Sequence, residues 1–332
     1  PLKGIAVLGL VLWAWWAGAA VAAAQTDGAA PRPVTIGFSQ CTVKEPWRVE
    51  FNRRLIEHAK KYPHVKLEVL DADDRTEVQV AQVQTFIRRR VDAILVSPKE
   101  SAGLTGVVRE AVEAGIPVVV LDRDVNFDGY SAFIGGDNKA IGRAAGRYVV
   151  EVLGGAGKAK GVVYEICGGL ASTPAQERRD GFHEIVKGET GIEIIGGLDA
   201  DWKKDQAQRL FQDALRTRDD IDVVYAHNDP MAHGAYLAAK RAGREDEIKF
   251  VGIDALPDEG VRWVRTGELT ATFEYASPGA KGLDVALGIL AGRTVPKRIA
   301  LPTRIFTRAN VEKGGEEIVE PQAKEADKGE GE

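Results

Sequence analysis

Three residues able to bind a polar ligand stand together in the stretch SQCTVKEPWR: Glu45, Trp47 and Arg48. An indole ring offers an apolar face on which the C–H face of a sugar can stack, while polar neighbours bind its hydroxyls. This combination predicts a ligand contact just before a helix. The alternative is that Trp47 only packs against the first turn of that helix.

A second polar group is the stretch LDRDV, where Asp122 and Arg123 follow a buried apolar run. Charged groups at such a position must be paired or must serve a ligand, because removing them from water alone is costly. A carboxylate accepts from two hydroxyls and a planar guanidinium donates to two more. We therefore predict that both contact the ligand, with a structural salt bridge as the alternative, and that Asp124 faces solvent.

The second half of the chain carries more residues of these kinds. QERRDGF presents Arg178 and Arg179, and their spacing does not decide which one points toward a ligand. DADWKKD presents Trp202, a second ring for stacking. YAHNDPMAHGA presents Asn228, whose amide is both donor and acceptor, as a hydroxyl is.

Three further positions complete the set of candidates. Asp229, followed by a proline, is predicted to be the N-cap of a helix rather than a ligand contact. The exit of VGIDA offers Asp254. LTATFEYASP offers Glu274 or Tyr275.

The sequence gives little support for catalysis. His227 and His233 lie near Asn228, but no Ser or Cys has a context such as G-x-S-x-G. The two cysteines, Cys41 and Cys167, are expected to be free buried thiols, with a disulfide as the alternative. No CxxC motif or Cys/His cluster suggests a metal, so we predict neither an enzyme nor a cofactor.

The elements that must position these residues form a regular alternation. Short β-branched runs alternate with amphipathic stretches such as 78–90 and 205–216, the pattern of parallel sheets flanked by helices. Most of the runs are almost continuously apolar, which indicates strands buried on both faces. The eight predicted strands begin at Val34, Val65, Ala93, Val118, Gly161, Ile192, Asp222 and Lys249.

These strands fall into two sets of four, before and after residues 135–137. A chain of 332 residues is also long enough for two α/β domains. We predict two Rossmann-like lobes, one of residues 34–136 with the returning segment 268–308 and one of residues 137–267. Ligands bind beyond the carboxyl ends of strands in open α/β sheets, so the polar residues at the strand exits should meet there.

The two ends of the chain differ from the rest in composition. Residues 5–24 are uncharged and end in three alanines, which predicts a secretory signal peptide over residues 1–24, with a membrane anchor as the alternative. Residues 312–332 carry eight acidic and three basic side chains, which predicts disorder. The formal net charge of -5 argues against a nucleic-acid partner.

The chain resembles the ribose- and galactofuranose-binding proteins of bacterial ABC transporters, in periplasmic binding protein family I. The resemblance is carried, in this order, by GFSQ with EPWR, LDRD, RRDGF, YAHNDPMAHGA and VGIDA. The resemblance covers residues 34–308. It implies two lobes joined by three crossings, closing by a hinge around a monosaccharide. That ligand is a pentose or hexose, furanose forms included. It also implies a periplasmic monomer that delivers the sugar to a membrane permease.

The resemblance favours Arg178 over Arg179, because Arg178 begins the R-x-x-G-F pattern. The stretch SQ…EPWR is closer to the galactofuranose branch of the family. Glu274-Tyr275 and Cys41 depart from the ribose-binding proteins, so the identity of the sugar is not determined. The ligand contacts that it implies are Trp47, Arg48, Asp122, Arg123, Arg178, Trp202, Asn228 and Asp254, to which the residue types add Glu45 and Tyr275.

Three other functions compete with this interpretation. A LacI-type regulator shares the fold but needs an amino-terminal helix-turn-helix, where this chain has its apolar segment. An exported carbohydrate-active enzyme would use paired carboxylates such as Asp122 and Asp254. A sensory protein that presents its sugar to a membrane receptor would close in the same way and differ only in its partner.

Overall fold

A computed structural model describes residues 32–319 of the chain. Its strands are β1 Val34–Gln40, β2 Val65–Asp71, β3 Ala93–Ser97, β4 Val118–Leu121, β5 Ala132–Gly136, β6 Gly161–Cys167, β7 Ile192–Asp199, β8 Ile221–Ala226, β9 Lys249–Asp254, β10 Ala271–Glu274, β11 Arg298–Leu301, β12 Arg304–Thr307 and β13 Glu316–Glu317. Its α-helices are α1 Pro46–Ala59, α2 Thr76–Arg88, α3 Ser101–Glu113, α4 Asn138–Val152, α5 Thr173–Val186, α6 Lys204–Leu215, α7 Asp229–Arg241, α8 Arg262–Thr266 and α9 Gly279–Leu290.

The first sheet has the order β11-β5-β4-β3-β1-β2 and is parallel throughout. The central strands β3 and β4 are buried along their whole length, whereas the edge strand β2 is half-exposed. Strands covered on both faces are apolar throughout, which explains why these runs were recognisable in the sequence. Among the helices, α1 packs against α9 and α2 against α3.

The second sheet has the order β13-β12-β10-β9-β8-β6-β7. Strands β6 to β10 pair in parallel, and β12 and β13 are added at one edge in antiparallel pairing. Helix α4 packs closely against α5, and α6 against α7. The prediction of two α/β lobes with mainly parallel sheets is confirmed.

The chain passes between the two lobes three times. The crossings lie between β5 and α4, between β10 and α9, and between β11 and β12. The three crossings implied by the resemblance are therefore present.

The predicted boundaries need two corrections. Residues 268–308 do not all lie in the first lobe, because β10 pairs with β9 and β12 pairs with β10 in the second sheet. The apolar run LTATFEY indicates a strand but not which sheet has an open edge for it. Strand β5 was not predicted, because its glycines at positions 135 and 136 resemble a turn.

The carboxyl-terminal prediction is wrong in part. Residues 312–319 contribute to a 3-10 turn and to β13, which pairs with β12. Backbone pairing does not depend on the charged side chains that suggested disorder, and the buried Val311 fixes the turn. Residues 320–332 and the predicted signal peptide lie outside the described residues. Within residues 32–319, no helix has the length and apolar character to span a bilayer.

Candidate functional site

A small cavity lies where strand exits of the two sheets meet. All ten residues selected from the sequence line it, together with one that was not selected. The lining residues are Glu45, Trp47, Arg48, Asp122, Arg123, Pro174, Arg178, Trp202, Asn228, Asp254 and Tyr275.

Three of these residues have unusual backbone conformations. The φ angles of Asp122, Trp202 and Asp254 are 67°, 65° and 135°, values that non-glycine residues rarely adopt. Each such residue costs about 1 to 3 kcal/mol and persists only where its surroundings hold it. The three residues lie at or just beyond the ends of β4, β7 and β9. These sharp strand exits bring their side chains to the cavity.

Arg48 is held almost entirely by other protein groups. Its Nη2 donates to Oδ2 of Asp122 (2.8 Å), and its Nε donates to Oε2 of Glu45 (3.2 Å). Its Nη1 donates to Oε1 of Gln40 (2.9 Å) and to Oγ of Ser97 (3.0 Å). Four of the five donors of the guanidinium are thereby used, so Arg48 mainly fixes the position of Asp122.

Asp122 carries a carboxylate that is ready to accept hydrogen bonds. Burial by itself would raise the pKa of this group, but the charges of Arg48 and Arg123 outweigh it and hold the pKa below its usual value. Its Oδ2 also accepts from Oγ of Ser97 (3.3 Å). The residue therefore enters the cavity ionised at neutral pH.

Arg123 has donors that the described residues leave unused. Its Nη1 donates to the carbonyl of Lys99 (2.9 Å), and its Nε lies 3.9 Å from Oδ2 of Asp122. This Nε is buried without a hydrogen-bond partner within residues 32–319. An unpaired buried donor is costly, so we expect this N–H to donate to a ligand atom or to a water molecule. The guanidinium also lies 5.4 Å from the ring centre of Trp202.

The structure distinguishes the two candidate arginines of the second lobe. Arg178 is buried, and its Nε donates to Oδ1 of Asn138 (2.9 Å) while Nη1 donates to the carbonyl of His227. Its guanidinium lies over the ring of Tyr275, 4.6 Å from the centre. Arg179 is more exposed and lies 3.8 Å from Glu165 instead. Arg178 is the arginine that lines the cavity.

Trp47 and Tyr275 form an aromatic wall that joins the first lobe to the hinge. Their ring centres are 5.1 Å apart, and the indole N–H of Trp47 donates to the carbonyl of Tyr275 (2.7 Å). The Tyr275 hydroxyl donates to the carbonyl of Asp122 (3.2 Å). Of the two candidates in this segment, Tyr275 lines the cavity, whereas Glu274 is 4.0 Å from Arg304.

Trp202 packs tightly against the backbone that follows β6. A Cβ atom on Gly168 would lie 2.4 Å from the indole ring, and one on Gly169 would lie 3.0 Å from Nε1. A Cβ atom at Gly168 would therefore force a shift and one at Gly169 would be a tight contact, so the two glycines allow the ring to lie close to the backbone. The guanidinium groups of Arg123 and Arg178 lie 5.4 Å and 5.5 Å from the ring centre, within cation–π range.

Asn228, rather than Asp229, is the N-cap of α7. Its Oδ1 accepts from the backbone N–H of Met231 (2.9 Å), and its Nδ2 donates to the carbonyl of Trp202 (3.2 Å). The prediction that Asp229 caps the helix is wrong, because the helix begins one residue earlier than the Asp-Pro pair suggests. The side-chain oxygen of Asn228 is thus used for capping, and one N–H of its amide is used for Trp202. The second N–H of the amide is available to a ligand in the cavity.

Asp254 is the carboxylic acid with the most perturbed environment in the cavity. Burial raises its pKa well above the usual value, the positive charge of Arg178 opposes this, and the neighbouring Asp229 adds to it. Its own backbone carbonyl accepts from the N–H of Tyr275 (3.3 Å). The same carboxyl can thus donate or accept, depending on its protonation state.

Four supporting residues were not selected from the sequence. Pro174 is the second residue of α5 and lines the cavity, while Gln40, Ser97 and Asn138 are buried and hold Arg48 or Arg178. A signal existed for Ser97, because it is the next-to-last residue of the predicted strand AILVSP and so lies near a strand exit. Asn138 follows the unpredicted strand β5, so its position relative to a strand exit was not visible.

The expectation that Asp124 faces solvent is wrong. Its Oδ2 accepts from Nη1 of Arg298 (2.6 Å) and from the hydroxyl of Tyr130 (3.2 Å). Its backbone N–H donates to Oγ1 of Thr173 in the second lobe (2.9 Å). Sequence reasoning missed Arg298 because 174 residues separate it from Asp124. Asp124 is therefore a structural residue beside the hinge.

Glu165, Cys167 and His227 form a buried cluster whose ligand atoms lie within 4.8 Å of one another. The N–H of Gly168 donates to Nδ1 of His227 (3.2 Å), so the ring proton is on Nε2, which lies 3.4 Å from Oε1 of Glu165. That nitrogen has no lone pair for a metal. Burial would raise the pKa of Glu165, but hydrogen bonds from His183 and His227 lower it to about 2.

Both cysteines are free and buried, as predicted. Cys41 lies 3.9 Å from Nη1 of Arg123, close to the cavity, and Cys167 belongs to the cluster with Glu165. Burial raises the pKa of the Cys167 thiol to about 12. Both therefore remain protonated and unreactive at neutral pH.

Comparisons with known proteins agree with this geometry. The family model described as the periplasmic binding protein domain matches residues 36–294. The galactofuranose-binding protein of Escherichia coli (strain K12) is 30% identical over 292 residues, which cover 85% of this chain and 90% of the relative.

Solved structures give the same result. The fructose-binding periplasmic domain of a hybrid two-component system has a TM-score of 0.81 and 39% identity, and the match covers 85% of this chain and 93% of that one. A Mycobacterium smegmatis protein in complex with β-D-fucofuranose has a TM-score of 0.80 and 30% identity, and this match also covers 85% of this chain and 93% of that one. The resemblance stated from the sequence is confirmed.

Proposed function

Because the chain belongs to the periplasmic binding protein family, we propose that it captures a monosaccharide between its two lobes and delivers it to the permease of an ABC transporter. The ligand is a pentose or a hexose, and furanose forms are included. The named relatives bind galactofuranose, fructose and β-D-fucofuranose, which supports a small sugar over the regulator and enzyme alternatives.

One observation carries this proposal: a single cavity collects aromatic rings and charged groups from both lobes. Trp47 and Arg48 come from the first lobe, whereas Arg178 and Trp202 come from the second. A sugar presents apolar C–H faces and a rim of hydroxyls, and this mixture of rings and charged groups complements both.

The unused hydrogen-bonding capacity of the cavity fits hydroxyl groups. Arg48 and Ser97 both donate to Oδ2 of the Asp122 carboxylate, and the remaining lone pairs of this group accept from the sugar. The buried Nε of Arg123 donates to it, as does the remaining N–H of Asn228. Asp254 and Arg178 supply a second carboxyl and guanidinium from the opposite lobe.

Closure follows from the division of these contacts between the lobes. Each lobe alone satisfies only part of the sugar, so the complete set of contacts exists only in the closed state, and binding shifts the lobes toward it. Opening about the three crossings then releases the sugar to the permease. Residues 1–24 act as the signal peptide that exports the chain to the periplasm.

The test is a thermal-shift screen of the chain from Gln25 onward against pentoses, hexoses, furanose-rich sugars and sugar alcohols. A ligand at 100 times its dissociation constant adds about 2.7 kcal/mol to the free energy of unfolding, a shift of several degrees. Stabilisation by one sugar, confirmed by calorimetry, supports the proposal. No stabilisation by any of them contradicts it.

Delivery needs a separate test, because a sugar sensor would bind in the same way. Cells that lack the gene should lose uptake of the labelled sugar, and the intact gene should restore it. Unchanged uptake together with a lost sugar-dependent expression response would favour the sensor; the similar fructose-binding domain is part of a hybrid two-component system.

A further inference from the structure

A carboxyl group that does not line the cavity lies directly beneath one that does. Asp229 is the first residue of α7 and follows the cavity residue Asn228. Its side chain is fully buried, and its Oδ2 accepts from the backbone N–H of Ala255 (2.8 Å). Ala255 is the residue after Asp254, so Asp229 bonds to the turn that carries a cavity carboxyl.

That turn needs support from outside. The φ angle of Asp254 is 135° and that of Ala255 is 51°, so two consecutive non-glycine residues are in the left-handed half of the backbone map. Such residues persist only where the surrounding structure fixes them. The hydrogen bond from Ala255 to Asp229 is the side-chain contact that restrains this turn from below.

The chain leaves a slot for this carboxyl. A Cβ atom on Gly252 would lie 2.2 Å from Oδ1 of Asp229, and one on Gly260 would lie 1.9 Å from Oδ2. Gly252 belongs to β9, before the turn, and Gly260 belongs to the π-helical turn Pro257–Val261, after it. The Asp229 carboxyl therefore fills the space between the two sides of the turn.

The arrangement is expensive for stability alone. Oδ1 of Asp229 is buried and, within residues 32–319, has only a poorly aligned approach from the Thr272 hydroxyl, while burial raises the pKa of the carboxyl. The groups that face it are the Thr272 hydroxyl, Glu259, Arg178 and Asp254. An apolar residue would avoid this desolvation cost, which indicates a role other than packing.

We propose that Asp229 is a positioning residue, which holds the Asp254 carboxyl toward the cavity and biases its charge through its own. The inference rests on the proposed function, since Asp254 is there a sugar contact. It links two strand exits: α7 presents Asn228 to the cavity on one side and fixes Asp254 through Asp229 on the other. The shape of the second lobe's half of the site then depends on one buried carboxyl.

Two variants separate the hydrogen bond from the charge. Asp229→Asn keeps an oxygen that can accept from Ala255 but removes the charge, whereas Asp229→Ala removes both. Glu259→Gln is the matched control, because Glu259 faces the same carboxyl but makes no bond to Ala255. Cooperative thermal unfolding first establishes which variants are folded.

The readouts do not depend on a sugar. We expect the Ala255 amide to exchange hydrogen at least tenfold faster in Asp229→Ala, but not in Asp229→Asn or Glu259→Gln. We expect the Asp254 carboxyl, followed by carbon-13 NMR, to titrate at lower pH in Asp229→Asn, because a neighbouring negative charge has gone. Unchanged Asp254 titration in Asp229→Asn, or unchanged Ala255 exchange in folded Asp229→Ala, overturns the proposal.

Sugar affinity is the second readout. We expect at least a tenfold rise in the dissociation constant for Asp229→Ala and a change of less than about threefold for Asp229→Asn, because the asparagine can still accept from Ala255. If wild-type protein binds no sugar, the proposed function fails, while the exchange and titration results still decide the role of Asp229.

Discussion

Nζ of Lys99 lies 3.0 Å from Oδ1 of Asp201, and this ion pair joins the loop after β3 in the first lobe to the loop after β7 in the second. The same Nζ lies 2.6 Å from Asp74, and Lys203 lies 2.6 Å from Asp201. Two lysines and two aspartates thus alternate across the mouth of the cleft. Because Asp201 precedes the cavity residue Trp202, this cluster stabilises the closed arrangement next to the site.

Lys99→Met should weaken closure. A partly buried ion pair of this kind contributes about 1 kcal/mol, so the dissociation constant for the sugar should rise about fivefold. The ligand-free protein should also show a larger radius of gyration in small-angle scattering. Lys66→Met is the control, because its partner Glu68 lies in the same strand, within one lobe. Equal effects of both substitutions would contradict a role at the cleft.

Arg48→Lys should destabilise the protein and the site together. An ammonium group cannot reach Glu45, Gln40, Ser97 and Asp122 at once, so buried acceptors lose their donors. Breaking a buried pair costs about 3 to 5 kcal/mol, and lysine should recover part of it. Urea unfolding measures the loss. Arg54→Lys, at an exposed pair with Glu50, should change the unfolding free energy little.

Arg123→Ala should mainly affect binding. It removes charged hydrogen bonds to the sugar inside a closed cleft and leaves Asp122 with one guanidinium fewer, which together cost about 2 to 4 kcal/mol of binding free energy. Titration calorimetry measures the dissociation constant. Arg179→Ala is the comparison, because its side chain is more exposed and lies beside Glu165. An unchanged affinity of Arg123→Ala would remove Arg123 from the site.

Gly168→Ala should displace Trp202. The added Cβ would lie 2.4 Å from the indole ring, so the ring or the backbone must shift. We expect sugar affinity to fall at least tenfold and tryptophan fluorescence to change. Gly106→Ala in α3 is the control, because nothing lies within 4 Å of its added Cβ and the helix should gain about 0.5 to 1 kcal/mol. A tightly binding Gly168→Ala variant would show that the ring position is not critical.

Glu165 should make stability depend on acid. Its pKa is about 2 in the folded protein, against about 4.3 in an unfolded chain, so the folded state binds fewer protons between these values. The stabilisation is present above about pH 4.3 and is lost as the pH falls toward 2, on the order of 3 kcal/mol. Glu165→Gln should unfold more easily at neutral pH and show a weaker acid dependence in denaturant titrations. Parallel pH profiles for the two proteins would contradict this.

Much of the site followed from the sequence because parallel strands end at a common edge. The eight predicted strands were all found, and their exits led to the ten residues that line one cavity. Asp122 and Asp254 illustrate the reason. Each stands at the end of an apolar run that must be buried. Because an unpaired charge is costly to bury, a charged residue at such a position is expected to lie in a cleft.

The choice between neighbouring side chains depended on the helix that carries them. Only the orientation of α5 shows that Arg178 rather than Arg179 enters the cavity, and only the start of α7 shows that Asn228 is its cap. Adjacent residues on a helix are about 100° apart, so a shift of one residue in the boundary changes which of them faces the ligand.

The sequence alone determined the two α/β lobes and the residue types at the strand exits. It could do so because a buried strand is a continuous run of apolar residues, which is visible locally. The tertiary structure alone decided which groups remain available to a ligand. Arg48 is already occupied by four partners, β10 extends the second sheet, and Asp229 lies under Asp254. These relationships join residues far apart in the chain, and no local pattern encodes a pairing that exists only after the lobes have packed.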